Sequence, residues 1–243
     1  MGVFYLLEIT AFALIGILED YSPLFRFERK SQLVRRLNNI TLQFLSAITI
    51  YIFSLLIFQW ENSWLHGHWV GILPFLPFSA SVKMLFAFVA YDFGVYVFHR
   101  ISHQIPFLWK FHRVHHTDEQ VDVTTAIRHH VGEHMISFLF FRGIFFPILG
   151  LNLQQMLFYD MCLMPLVFFH HSNVALPKLW DRFMRILLVS PNMHRIHHSK
   201  IYAETNSNYA SFFSFWDRLG GTSCKHENPK MLKYGLTQFH AKE

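Results

Sequence analysis

The chain has 243 residues, of which 52% are hydrophobic, 18% aromatic and only 15% charged, with a net charge of +5. Soluble domains carry roughly 25% charged residues, so this composition excludes an ordinary soluble protein, and its apolar content excludes a disordered one. Two cysteines, Cys162 and Cys224, exclude a disulfide scaffold and a CxxC metal site.

Taken in chain order, Val3 to Leu18 reads as a marginal span or an interfacial helix, because it holds Glu8. It lacks a basic start and an A-x-A site, which argues against a cleaved signal peptide. Ile40 to Phe58 holds no charged residue, and its helical length of about 28 Å matches the hydrocarbon core. Val70 to Phe78, with Pro74 and Pro77, reads as an interfacial or re-entrant piece, and Glu61 to Trp69 before it as a loop. Ser79 to Phe98 is a further span. Met135 to Leu151 and Leu153 to Phe169 read as a helical hairpin turning at Gly150–Asn152. Arg142 and Asp160 sit at matching depths in its two arms and are expected to pair, since charges in a membrane are costly alone. Phe138, Phe140, Phe141, Phe145, Phe146, Phe168 and Phe169 either wall a lipid path or pack the bundle.

Orientation follows from the basic residues, which favour the cytoplasmic side. Arg26, Arg29, Lys30, Arg35 and Arg36 precede the second span, and the loop after it has no Lys or Arg. With the hairpin leaving and returning, 19 of the 21 Lys and Arg residues fall on one side. Every histidine from His99 to His198 falls there too. The net charge thus reads as positive-inside loops touching anionic headgroups, with no nucleic-acid partner.

Seventeen histidines exceed the 16 acidic residues, and most are arranged in boxes. His99-Arg-Ile-Ser-His103 is HxxxH; His112-Arg-Val-His115-His116 and His194-Arg-Ile-His197-His198 are HxxHH. Residues i, i+3 and i+4 share a helix face, so each box aims two or three imidazoles one way. Imidazole suits iron, zinc, copper or nickel rather than magnesium or calcium. His129-His130-Val-Gly-Glu133-His134 and His170-His171-Ser-Asn173 lie between the boxes. His66, His68, His226 and His240 read as bystanders. Two rival readings stand at this point. His130-Val-Gly-Glu133-His134 fits the H-x-x-E-H signature of a zinc hydrolase with Glu133 as base. A non-enzymatic metal-binding membrane protein would instead place its sites along the spans.

The boxes, in order and spacing, resemble the fatty acid hydroxylase/sterol desaturase superfamily of integral-membrane di-iron oxygenases. YDFGVYVFHR, RHHVGE, HHSNVALP, SPNMHRIHHS and TNSNYASFFSFWDRLGGT resemble its conserved segments from about residue 85 to 222. Val131, Ala210 and Gly220 depart from the pattern, standing where proline, glycine and phenylalanine are usual.

This resemblance implies an all-α fold: an integral membrane bundle of about four spans beneath a cytoplasmic helical cap that carries a di-metal site. The division is 1–78 for N-terminal membrane helices, 79–222 for the catalytic domain and 223–243 for a tail. It implies two irons held by His99, His103, His112, His115, His116, His130, His171, His194, His197 and His198. His129 and His134 are alternatives to His130, and His170 is an auxiliary hydrogen-bonding residue. Asp92, about 10 Å of helix below His99, Glu133 and Asn173 are expected to orient the ligand rings. The implied activity is dioxygen-dependent hydroxylation or desaturation of a lipid C–H bond. No dinucleotide fingerprint is present, so electrons are expected from a separate reductase or carrier protein.

Overall fold

The computed structural model describes residues 2–67, 71–226 and 228–236. His68, Val70 and the tail from 237, with His240, lie outside the described residues, as does the side chain of His66. Among the described residues the fold is helical, and β pairing is limited to the isolated bridges Pro23–Val174, Leu188–Phe213 and Ser199–Tyr234.

Helix α1 spans Gly2–Tyr21 and α2 spans Arg29–Gly67. The basic stretch from Arg29 to Arg36 is therefore helical rather than a loop, because no Pro or Gly interrupts it and Arg, Lys and Leu are good helix formers. Residues 61–67, expected in a loop, also belong to α2. Three segments are long and apolar enough to cross a membrane: Arg29–Leu55, Ala80–Gln104 and Val131–Leu149. Their outward faces expose large apolar side chains such as Phe44, Leu55, Leu85 and Ile144. Water would penalise such surfaces and lipid does not; the chain is an integral membrane protein.

Basic residues of α2 also join the end of the bundle that carries the Val123–Ile127 turn. Arg36 reaches Glu19 at 2.7 Å, Asp20 at 3.0 Å and Asp122 at 2.9 Å. Arg35 binds Asp118 at 2.8 Å and also Asp122. Asp122 caps the 3-10 turn Val123–Ile127 through a reciprocal pair with Thr125.

At the opposite end, α3 (Ile72–Phe75) is a single turn laid against the hairpin tip. A Cβ on Gly71 would lie 2.1 Å from the Gly150 nitrogen, so only glycine permits this approach. Gly150 itself closes a helix at φ 73°, which costs a residue with a Cβ. Lys83 tethers α3 by donating to the Pro74 carbonyl at 2.7 Å.

Helix α4 (Ala80–Gln104) leads into α5 (Pro106–His116) through Ile105 alone, with Pro106 at the first turn. The expected hairpin is present. Its first arm is α6 (Val131–Phe138), a π-helical stretch over Leu139–Phe145, and α7 (Phe146–Leu149). The wide turn accommodates Pro147, whose ring would otherwise meet the carbonyl four residues back. Its second arm is α8 (Leu153–His171), started by an Asn152–Gln155 capping box. Phe141, Phe146 and Phe168 are buried in the core. Asp160 is hydrogen-bonded by Tyr91 and feels the charge of Arg142, whose guanidinium also sits 5.1 Å from the Phe138 ring.

The cap follows as α9 (Lys178–Met184), α10 (Pro191–His197), α11 (Tyr202–Thr205) and α12 (Phe215–Leu219). Asp92 bolts it to the bundle. Its carboxylate accepts from Tyr159 of α8 at 2.6 Å, from the Trp216 indole at 2.7 Å and from the Phe213 amide at 3.1 Å. Asp92 therefore joins helices and orients no imidazole, because its oxygens are taken by donors deeper in the bundle than His99.

Removing this carboxylate leaves three donors without their acceptor. Each such loss costs about 1–3 kcal/mol, so Asp92→Ala is expected to lower stability by roughly 3 kcal/mol or more. Thermal unfolding in detergent measures this, and a variant as stable as the parent would refute the clamp.

Candidate metal centre

The histidine boxes sit at helix ends on one face of the bundle. His99 and His103 end α4; His112, His115 and His116 end α5; His170 and His171 end α8; His194, His197 and His198 lie on and just after α10. Their ring nitrogens form two sets. His99, His103, His112, His116 and His197 make one, and His115, His171, His194 and His198 the other, with one nitrogen from each residue within 4.8 Å of the rest of its set.

The division mirrors itself across the two HxxHH boxes. In α5 the i and i+4 residues, His112 and His116, serve the first set, while His115 serves the second. In α10 the i and i+4 residues, His194 and His198, serve the second set, while His197 serves the first. On a helix, i and i+4 lie 40° apart and i+3 is turned about 100° from i+4. Each box thus straddles both sets.

Tautomers follow from the outer nitrogens. A carbonyl only accepts, so an Nδ1 facing one must carry the proton. His99 Nδ1 donates to Tyr209 O at 2.7 Å, His197 Nδ1 to Ser207 O at 2.7 Å, His115 Nδ1 to Arg128 O at 3.2 Å and His171 Nδ1 to Val167 O at 2.8 Å. His112 Nδ1 donates to Glu133 at 2.6 Å. The four rings held by carbonyls, which burial keeps neutral, present bare Nε2 lone pairs inward. The Nε2 atoms of His115 and His171 stand 3.1 Å apart with no proton between them, and those of His99 and His197 are buried without any partner. Facing lone pairs repel, whereas a cation between them turns the same geometry into coordination. The donor set fits late transition metals with nitrogen affinity.

Nine of the ten sequence-designated ligands converge, and His130 does not. It is exposed, and its Nδ1 accepts from the Gly132 amide at 2.9 Å as the N-cap of α6. His129 instead stacks on His115 with ring centres 4.5 Å apart, and its Nδ1 meets Glu133 at 3.1 Å. Glu133 therefore ties α6 to His112 and His129. Asn173 touches no imidazole: its side chain exchanges two hydrogen bonds with the Phe25 backbone. His170 packs 4.2 Å from the His194 ring without joining either set. No set among the described residues includes His130 or His134, so the H-x-x-E-H signature does not assemble.

Three supporting groups are not signalled by the histidine spacing. Asp217 accepts from the Tyr209 and Ala210 amides at 2.7 and 3.1 Å and from Thr222 at 2.7 Å, fixing the carbonyl-bearing loop. Arg195, fully buried, donates to Asn192 at 2.8 Å and to the Val174 carbonyl at 2.7 Å. Trp109 lies 4.9 Å from the His103 ring. A W-D pair in the sequence points toward Asp217 only through family resemblance, and backbone acceptors leave no residue signature.

Burial, then repulsion among neighbouring imidazoles, holds His115, His116, His194, His197 and His198 well below their ordinary pKa of 6.5. They stay neutral in the fold at pH values where the unfolded chain protonates them. The unfolded state then binds more protons, so stability is full above about pH 6.5 and falls as pH drops below it. Chelator-stripped protein is expected to lose about 1.4 kcal/mol per ring per pH unit once below that value. Melting temperatures of stripped protein from pH 8 to pH 5 test this; a flat profile would contradict neutral burial.

A family model described as Fatty acid hydroxylase matches residues 84–222. An alkylglycerol monooxygenase of Homo sapiens is 31% identical over 185 residues, covering 74% of this chain and 37% of its own. The ornithine lipid hydroxylase OlsE of Rhizobium tropici is 29% identical over 162 residues, covering 67% and 48%. A cholesterol 25-hydroxylase-like protein of Danio rerio is 24% identical over 212 residues, covering 85% and 82%. The chain spans about a third of the length of the alkylglycerol monooxygenases it matches. No solved structure matches it. Because the matched region covers more than half of the chain and contains all three histidine boxes, this protein belongs to the fatty acid hydroxylase family.

Proposed function

We propose that this chain is a membrane-embedded di-iron oxygenase that hydroxylates a C–H bond of a lipid. The observation that carries the reading is the pair of imidazole sets whose bare Nε2 atoms converge at one end of the bundle. Its similarity to proteins named for acting on alkylglycerol, ornithine lipid and cholesterol supports a lipid substrate.

His99, His103, His112, His116 and His197 would hold one iron, and His115, His171, His194 and His198 the other. His129, adjoining both Glu133 and His115, takes the place that the sequence offers to His130. A bound iron pair supplies the reduction of dioxygen and the oxidation of an unactivated C–H bond, which no side chain here can perform. The balanced reaction consumes the lipid C–H, one dioxygen, two electrons and two protons, and yields an alcohol and water. The two electrons come from a separate carrier protein or reductase.

The chain's own residues position and shield. Glu133 accepts a hydrogen bond from His112 Nδ1 and turns that ring's Nε2 toward the metal position. The Ser207 and Tyr209 carbonyls do the same for His197 and His99. Burial keeps His115, His116, His194, His197 and His198 neutral. A cavity of about 420 Å³ bordered by Arg100, His103, Trp109, Asn206 and Tyr209 reaches the first set. We read α8 as a fourth span and the cap as cytoplasmic, because the basic residues concentrate on the histidine side. In this reading 79–222 forms the catalytic domain.

Metal analysis with Mössbauer spectroscopy of anaerobically purified protein is expected to show two irons per chain. One zinc and no iron would sink the reading. His115→Ala and His197→Ala, one from each set, are each expected to lose iron and abolish incorporation of isotopically heavy dioxygen into lipid alcohol. Membrane insertion should persist in both variants.

Glu133→Gln keeps the shape of the side chain but removes its charge. Loss of such a ring-orienting contact typically weakens metal binding by roughly 10–100-fold. Iron retention against a graded chelator series checks this, and parental retention would remove Glu133 from the site.

A further inference from the structure

Helix α9 and the turn that continues it carry an apolar stripe unconnected with the histidines. Leu179, Trp180, Phe183, Ile186 and Leu187 are between 51% and 75% exposed. At 3.6 residues per turn they fall within about 120° of one face. The turn prolongs the helix, since the Ile186 amide donates to Phe183 O at 3.2 Å and that of Leu187 to Met184 O at 3.1 Å. Lys178, Arg182 and Arg185 occupy the flanks. The stripe is amphipathic rather than randomly greasy.

Its depth follows from what the turn is tied to. The Ser214 amide donates to Leu187 O at 2.9 Å and the Val189 amide to Phe212 O at 3.0 Å. The Phe212 and Phe213 rings lie 5.1 and 5.8 Å from Phe88, and Trp216 lies 5.0 Å from Phe93. Phe88 and Phe93 belong to the membrane-crossing α4, about 16 and 9 Å below His99 along the helix. The turn therefore packs beside the membrane-crossing α4, which sets it at the edge of the bilayer in this reading.

Beside the stripe lies a cavity of about 560 Å³ that Ile186 borders together with Lys178, Arg182, Arg185, Arg218 and Lys225. Asp181 is its acidic lining residue among those described, and Arg185 neutralises it at 2.8 Å. Arg218 is spent on the Arg185 and Ile186 carbonyls at 2.9 and 2.8 Å. Lys178, Arg182 and Lys225 have no carboxylate partner among the described residues. Three uncompensated cations beside an apolar stripe at the bilayer edge match one chemistry: a phosphate ester attached to acyl chains.

We propose that α9 and its turn form an in-plane anchor that holds an anionic phospholipid, with acyl chains against the Leu179–Leu187 stripe and the phosphate between Lys178, Arg182 and Lys225. This site is separate from the metal centre and stands whether or not iron is the metal. A protein partner would have to displace lipid from the bilayer edge and bring its own anions. The lipid brings both components in one molecule.

Full-length protein in neutral detergent is titrated with phosphatidylglycerol and with phosphatidylcholine of equal chain length, and native mass spectrometry counts the lipid retained. Phosphatidylglycerol should be retained preferentially. K178Q/R182Q/K225Q should weaken that retention by roughly tenfold or more, while K178R/R182K/K225R keeps it and rules out a folding defect. In nanodiscs with brominated acyl chains, W180F should remove a quenched component of the tryptophan emission. Equal retention of both lipids, or undiminished preference in the glutamine variant, would overturn the proposal. Millimolar inorganic phosphate competing as well as phosphatidylglycerol would reassign the cavity to a soluble anion. Identical quenching in parent and W180F would take the stripe out of the bilayer.

Discussion

The interaction on which this architecture depends is the hydrogen bond that an imidazole Nδ1 gives away. Once His99, His115, His171 and His197 donate to backbone carbonyls, their inward nitrogens carry no proton. Such a cluster is unfavourable by itself: the buried lone pairs of His115 and His171 face each other at 3.1 Å. It persists because the carbonyls are held by structure that owes nothing to the rings. Asn208, at φ 52°, donates to Met193 O and accepts from the Cys224 amide. Asp217 gathers the amides just beyond it. The loop is thus held by hydrogen bonds that do not involve the rings.

The same economy governs the charges. Asp92 lies within a membrane-crossing helix, where an unpaired carboxylate is expensive, yet three donors from two directions satisfy it. Glu19 likewise receives the Val123 and Asn173 amides at 3.0 and 2.9 Å besides its pairing with Arg36. In each case a buried acid collects donors from elements distant in sequence. These acids fix how the cap sits on the bundle, and so fix where the carbonyls point.

Much of this was legible in the sequence because its periodicities are strong. Apolar runs gave the spans, and spacings of three and four residues put the box histidines on shared faces. Where reading failed, direction rather than position was missing. His129 and His130 differ by one residue, but the segment before α6 is extended, so no helical period decides between them; capping α6 turns His130 outward. Asp92 lies at the expected depth below His99, yet its side chain faces Tyr159 and Trp216. Asn173 neighbours a ligand box, yet its amide is committed to Phe25. The Ser207 and Tyr209 carbonyls could not be read at all, since every residue has one.

The mirrored use of the two HxxHH boxes carries a mechanical consequence. If each box served one set, a shift of α5 or α10 would disturb one set and leave the other intact. Because each contributes two rings to one and a single ring to the other, neither helix can move without altering both. The sets are still unequal. The first has five residues, and its His103 lies against Trp109 at the edge of the 420 Å³ cavity with both ring nitrogens unpartnered. The second has four, all buried. A site built this way is stiff toward relative motion of its sets but open on one side, and the open side is the one that a fifth imidazole guards.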